Sequence, residues 1–116
     1  MADPVQNPSI LALYQSLCAQ QDLLSNQLGN CTDAGLAGTL SNENFEIMHR
    51  IVLAQNLLFQ SDSAALQASV AQVSTAANDL KTAIGKIQKA ADVVTAVSTY
   101  LTYVDQAIDL AKTMMK

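Results

Sequence analysis

Few residues in this chain have the types and spacing that chemistry needs. Glu46 and His49 form a Glu-x-x-His pair, which on a helix sets a carboxylate and an imidazole about one turn apart. Di-iron bundles use that pair twice and add an inward Glu from each of two further helices. Here His49 is the single histidine, and Glu43 and Glu46 are the only glutamates. One chain cannot supply the set, and in a symmetric dimer every glutamate would come from the same helix. No metal or other cofactor is expected, and His49 reads as a solvated residue at the boundary of its helix. Cys18 as a nucleophile would need His49 as its base. The two fall in different segments, and nothing marks an oxyanion hole or a strained turn, so Cys18 reads as a small core residue.

The other cysteine is Cys31. A helix through Cys18 carries the chain roughly 15 Å before the next turn. The few residues that follow cannot bring Cys31 back to bridging distance. Two free thiols are expected, which suits a reducing compartment, and with one histidine they are too few for a closed zinc site. Asp105 and Asp109 are spaced one helical turn apart, as paired acid–base carboxylates can be. With Lys112 beside them they read as the wetted side of a helix. There is no phosphate loop, dinucleotide fingerprint or acyl-transfer elbow. The chain is not expected to be an enzyme.

Tyr100 and Tyr103 have a different use. A tyrosine presents a large apolar body with one polar tip and anchors partner surfaces. With Leu110 and Met114 they form the candidate partner-binding set. The competing reading packs the rings at the rim of the protein's own core with the hydroxyls in water.

The elements that position these residues are helices. Leu66, Val70, Val73, Ala77, Leu80, Ile84, Ile87, Ala91 and Val94 step by four and three without a miss. That spacing keeps one stripe of an α-helix facing a partner. The flanking column Ser69, Ala76, Ala83 and Ala90 is small, so a neighbouring helix can come close. The opposite column, Gln67, Ser74, Lys81 and Gln88, is weakly charged for a zipper flank, which favours a core-facing bundle helix.

Residues 1–7 read as an untied, disordered end. Asn7 and Pro8 read as N-cap and first position of a helix running to about Leu28. Its stripe is Ile10, Tyr14, Leu17, Leu24 and Leu28, with Leu13 beside it and Gln21 interrupting it. Residues 29–41, with three glycines, read as a loop, with at most one helical turn near Ala34 to Leu36. Asn30-Cys31-Thr32 within it matches a glycosylation acceptor by chance, since no secretion signal accompanies it. Ser41 or Asn42 caps the second helix, whose broad apolar face is Phe45, Met48, Ile51, Val52, Leu58 and Phe59. Leu53 and Leu57 fall on the other side, so this helix is open to cover on more than one face. Ser61-Asp62-Ser63 is a short connection, which makes helices two and three antiparallel neighbours.

Helix from Ser63 to Met115 without a break would measure about 80 Å, against about 30 to 40 Å for a compact domain of this size. The stripe changes phase after Val94, to Val97, Leu101, Val104, Ile108, Ala111 and Met115. The break is placed between Lys89 and Val93, with Asp92 as a fresh cap. Gly85 is the second candidate, and unbroken helix reaching another subunit the third. The β-branched run Val93 to Val104 leaves a strand pair as the alternative for the last segment.

Composition sets the class. At 116 residues, with 50% hydrophobic and 14% charged, the chain is expected to be one domain that buries a core of its own. A net charge of −4 builds no phosphate-neutralising face, so nucleic acid and anionic lipid are not expected partners. Asp105 and Asp109 interrupt the one stretch long enough to suggest a membrane span. The start has no basic n-region or apolar core, which leaves a cytoplasmic protein or one exported without a cleavable signal. The expectation is an all-α, antiparallel four-helix bundle over 1–116 with a long third helix. Its expected role is a non-catalytic module that binds another protein or itself by helix packing. The rival is an exported or membrane-acting protein whose amphipathic C-terminal hairpin, 64–115, engages a partner or lipid.

Overall fold

The computed structural model describes residues 7–59, 62–85 and 90–113. They form four α-helices: α1 (Pro8–Gly29), α2 (Ala34–Gln55), α3 (Ala64–Ile84) and α4 (Ala90–Thr113), with no strand among the described residues. The strand alternative for the last segment is therefore overturned. Its β-branched residues are accommodated in two ways. Val93, Val97 and Val104 are buried. Thr99, Thr102 and Thr113 each donate a hydroxyl to the carbonyl four residues back, at 3.0, 2.9 and 2.9 Å, which satisfies the hydroxyl without leaving the helix.

The start of α1 follows its cap. The Asn7 side-chain oxygen accepts from the Ser9 and Ile10 N–H groups at 2.9 and 3.2 Å, and Pro8 takes the first helical turn. The untied end does not extend to residue 7. Asn7 is buried, and its N–H donates to the Leu58 carbonyl at 2.6 Å. Ser9 donates to Asp62 at 3.0 Å, so two polar bonds tie this end to the chain after α2. The rest of that expectation, residues 1–6, lies outside the described residues.

The expected loop over 29–41 shrinks to 30–33, and the expected Ser41 or Asn42 cap is replaced by Asp33. Its carboxylate accepts from the Leu36 N–H at 2.9 Å. Gly35 and Gly38 lie inside α2. Each glycine costs a helix about 1 kcal/mol relative to alanine. Leu40 is buried and Leu36 is half-buried against the core, and covering these two leucines offsets that cost.

Each helix packs against two others: α1 on α2 and α3, α4 on α2 and α3. Going round, the order is α1, α2, α4, α3. Helices α2 and α3 are thus not the expected neighbours. Helix α2 stops at Gln55, and residues 56–63 make a longer connection than Ser61-Asp62-Ser63 alone, enough to cross the bundle. Ser63 does cap α3, accepting from the Leu66 N–H at 3.1 Å.

In α3 the stripe is buried from Leu66 through Val70, Val73, Ala77 and Leu80 to Ile84. Its last members are corrected. Ala91 and Val94 are exposed, and Ile87 lies outside the described residues. In α4 the buried column starts one residue earlier, at Val93, and continues through Val97, Tyr100, Leu101, Val104, Ala107, Ile108 and Ala111. Nor is α3 long: it has 21 residues against 22, 22 and 24 in α1, α2 and α4. It ends at Gly85, whose N–H donates to the Lys81 carbonyl at 3.2 Å. That is the second of the three expected break points. The first, Lys89 to Val93, overlaps the start of α4, with Asp92 in its first turn. A stripe that changes phase cannot face one partner in a straight helix, and the glycine is where continuation is weakest. Overall extents of 52 × 25 × 20 Å exclude the unbroken helix.

One hydrophobic cluster draws on all four helices. From α1 it takes Ile10, Leu13, Leu17 and Leu24, while Tyr14 and Leu28 are half-buried. Gln20, not Gln21, occupies the stripe's polar position. Gln21 is half-buried, and the Gln20 side-chain oxygen is buried with no hydrogen-bond partner.

Candidate functional site

Two of the residues with chemical potential, Glu46 and Asp105, are drawn into structural work by Arg50. Arg50 on α2 has 17% of its side chain exposed. Its Nε and Nη2 donate to the two Asp105 oxygens at 3.1 and 3.2 Å. Its Nη1 donates to the Glu46 carboxylate and, at 3.1 Å, to the Glu46 carbonyl. The Asp105 hydrogen bond, above all, raises the pKa of the guanidinium, against the cost of burial. Burial also raises the pKa of the nearby Glu43 carboxyl, with the Glu46 charge adding and Arg50 opposing.

This arrangement engages one member of each candidate pair. Glu46 is held by Arg50, and His49 is exposed. Asp105 is held across the α2–α4 seam, and Asp109 is exposed. Cys18 and Cys31 are half-buried free thiols. Among the described residues no cluster of three or more His, Cys, Asp or Glu is placed to hold a metal ion, and no helix is long and apolar enough to cross a membrane. The Arg50–Asp105 link was not legible beforehand, because residues 55 apart carry no periodic signal.

Of the candidate partner-binding residues, Tyr100 needs correction. It has no exposed surface, and its hydroxyl lies 2.8 Å from Ser16 Oγ rather than in water. Burial pushes its phenol up to about 12, with Ser16 working against the shift and Cys18 adding a little. The reason is phase, since Tyr100 continues the buried column of Val93 and Val97. Tyr103 and Leu110 are half-buried against the core, and Met114 lies outside the described residues.

Tyr100, Tyr103 and Leu110 nevertheless share a feature that sequence reasoning missed. A groove follows the α3–α4 seam in two recesses that meet at Gln72. The larger, about 600 Å³, has Leu80 and Tyr100 in its floor and Ala76, Ala83, Ala96 and Tyr103 in its walls. The second lies between Ala65 and Ala68 of α3 and Leu110 of α4. Asp79 and Asp92 line the first recess and Asp109 the second, and among the described residues no Lys or Arg lines either. The signal was present in the small column Ser69, Ala76 and Ala83: short side chains leave a trough wherever no third helix fills it.

A second surface lies on α2. Phe45, Met48 and Val52 are 64%, 39% and 53% exposed. Their i, i+3, i+7 spacing places them along one side of the helix. The expected core face is thereby corrected. The face that packs inward carries Leu40, Ile47 and Ala54, spaced seven apart, with Ile51 and Leu53 partly buried. Phe59, past the end of α2, is also 60% exposed. The inward set is hard to see in the sequence because the glycines around Leu40 imitate a loop, and without Leu40 the series of Ile47 and Ala54 lacks its first member.

No protein-family model, no curated protein and no solved structure matches this chain.

Proposed function

We propose that this chain is a non-catalytic helical module, one domain whose consecutive helices run antiparallel, which binds another protein or a second copy of itself by helix packing. The antiparallel reading is supported by the 3.3 Å hydrogen bond from Gln55, at the end of α2, to the Tyr14 hydroxyl near the start of α1. The short connection at 30–33 supports it as well.

The observation that carries the binding reading is the apolar side of α2. Single exposed apolar residues are ordinary, but Phe45, Met48 and Val52 adjoin one another on one helix. A contiguous patch of that kind marks an interaction surface, and an i, i+3, i+7 set of anchors is how one helix seats on another. Its neighbours Glu46 and Arg50 are already bonded to each other, so the patch meets a partner through apolar contact rather than charge.

Photocrosslinking tests this. A benzophenone amino acid at position 45 is expected to form a discrete adduct in the producing cell, whether with a second copy or a different protein. The same group at Gln15, exposed on α1, is the control. Adducts at position 45 no stronger than those at position 15 would overturn the reading.

A further inference from the structure

We propose that the α3–α4 groove receives a basic amphipathic helix from a different protein, seated between the two helices as an added member of the bundle. This rests on the module reading above but uses a separate surface. Shape selects a helix. The lining recurs along both flanking helices at three- and four-residue steps, Ala68, Gln72, Thr75, Asp79 and Ala83 on α3 and Asp92, Ala96, Tyr103 and Leu110 among those on α4. A trough with that period fits the ridges of a third helix, and its alanine walls allow close axial approach.

Charge selects the partner. Among the described residues the lining carries Asp79, Asp92 and Asp109 and no cation. All three are exposed, and among the described residues none of their carboxylates has a hydrogen-bonded or ion-paired partner. By contrast, Asp62, Asp105, Asp33 and Glu46 are each bonded to another group. Carboxylates along an apolar trough favour Lys or Arg flanking the apolar stripe of an incoming helix, and they disfavour an acidic one. They also repel an anionic lipid surface. A second copy is the wrong occupant. Each chain carries a net −4, and Arg50, beside the apolar face of α2, is already bonded to Asp105 and Glu46.

The test uses the full chain and two synthetic peptides of roughly five helical turns. Both carry one Ala/Leu stripe, flanked by Lys in the first and by Glu in the second. Fluorescence anisotropy is expected to show the Lys peptide binding about 10-fold or more tighter than the Glu peptide, with the difference shrinking in high salt. The triple variant Asp79→Asn, Asp92→Asn, Asp109→Asn should lose most of that preference. Thr99→Arg, a cation placed at an exposed lining position, should weaken the Lys peptide. Equal binding of the two peptides, or unchanged preference in the triple variant, would overturn the proposal. A Phe45→Glu, Val52→Glu variant separates the two readings: it removes the α2 surface and should leave Lys-peptide binding intact.

Discussion

Helices α3 and α2 are nearly equal in length and contribute to one core, yet they differ in how a face is chosen. In α3 the apolar residues lie in one stripe with alanines, serines and threonines elsewhere, and every described member from Leu66 to Ile84 is buried. In α2 large apolar residues point several ways. Leu40, Ile47 and Ala54 go inward while Phe45, Met48 and Val52 stay in solvent. A one-sided helix decides its own orientation, because any other rotation would expose leucine and isoleucine. A many-sided helix is oriented by its neighbours, here by the Arg50–Asp105 contact to α4. Whatever apolar surface is left over becomes available to a partner.

The largest expected effect sharpens the α3 side. Leu80 is 2% exposed, and Leu80→Ala should cost about 2–5 kcal/mol in urea unfolding; a loss below about 0.5 kcal/mol would be surface behaviour and would break the contrast. Tyr100→Phe leaves the ring in place and removes the Ser16 contact, for an expected loss of about 0.5–1.5 kcal/mol. The same residue sets a pH dependence. Its phenol titrates at about 12 in the fold, above its ordinary 10.0. The unfolded chain therefore releases this proton first. The stability tied to the neutral phenol is complete below pH 10.0 and is lost as the pH rises towards about 12. Tyrosinate absorbance should show a late-titrating phenol in the parent chain that is lost in Tyr100→Phe.

Two smaller changes probe α2. A Cβ added at Gly38 would meet nothing within 4 Å, so Gly38→Ala should raise stability by about 0.4–1 kcal/mol. A loss instead would mean that this turn is not helical. Asp105→Asn weakens the tie between α2 and α4. Asp105 is 48% exposed, so solvent screening keeps the expected loss to about 0.2–1 kcal/mol, smaller still in high salt.

How much could be read beforehand follows the same division. The Asn7-Pro8 start, the Ser63 cap and the α3 stripe were legible because each is local: a cap and its helix lie within four residues, and a stripe repeats. The Asp33 cap was also local, but three glycines around it imitate a loop, and only the burial of Leu40 shows which tendency prevails. Gln20 was overlooked for Gln21 because Tyr14 had been placed in the stripe instead of Leu13, which shifts the phase by one residue. Nothing local distinguishes Tyr100 from Tyr103, and the α4 phase decides which ring goes inside. The groove required two helices to be set side by side, and no single helix announces it.

Urea unfolding of the double variant Phe45→Ser, Val52→Ser tests the central claim, that this side of α2 lies outside the core. Both residues are more than half exposed, so the unfolding free energy should stay within about 1 kcal/mol of the parent at an unchanged slope. A loss of about 3 kcal/mol or more, the size expected for emptying two core positions, would return these side chains to the interior and contradict the account.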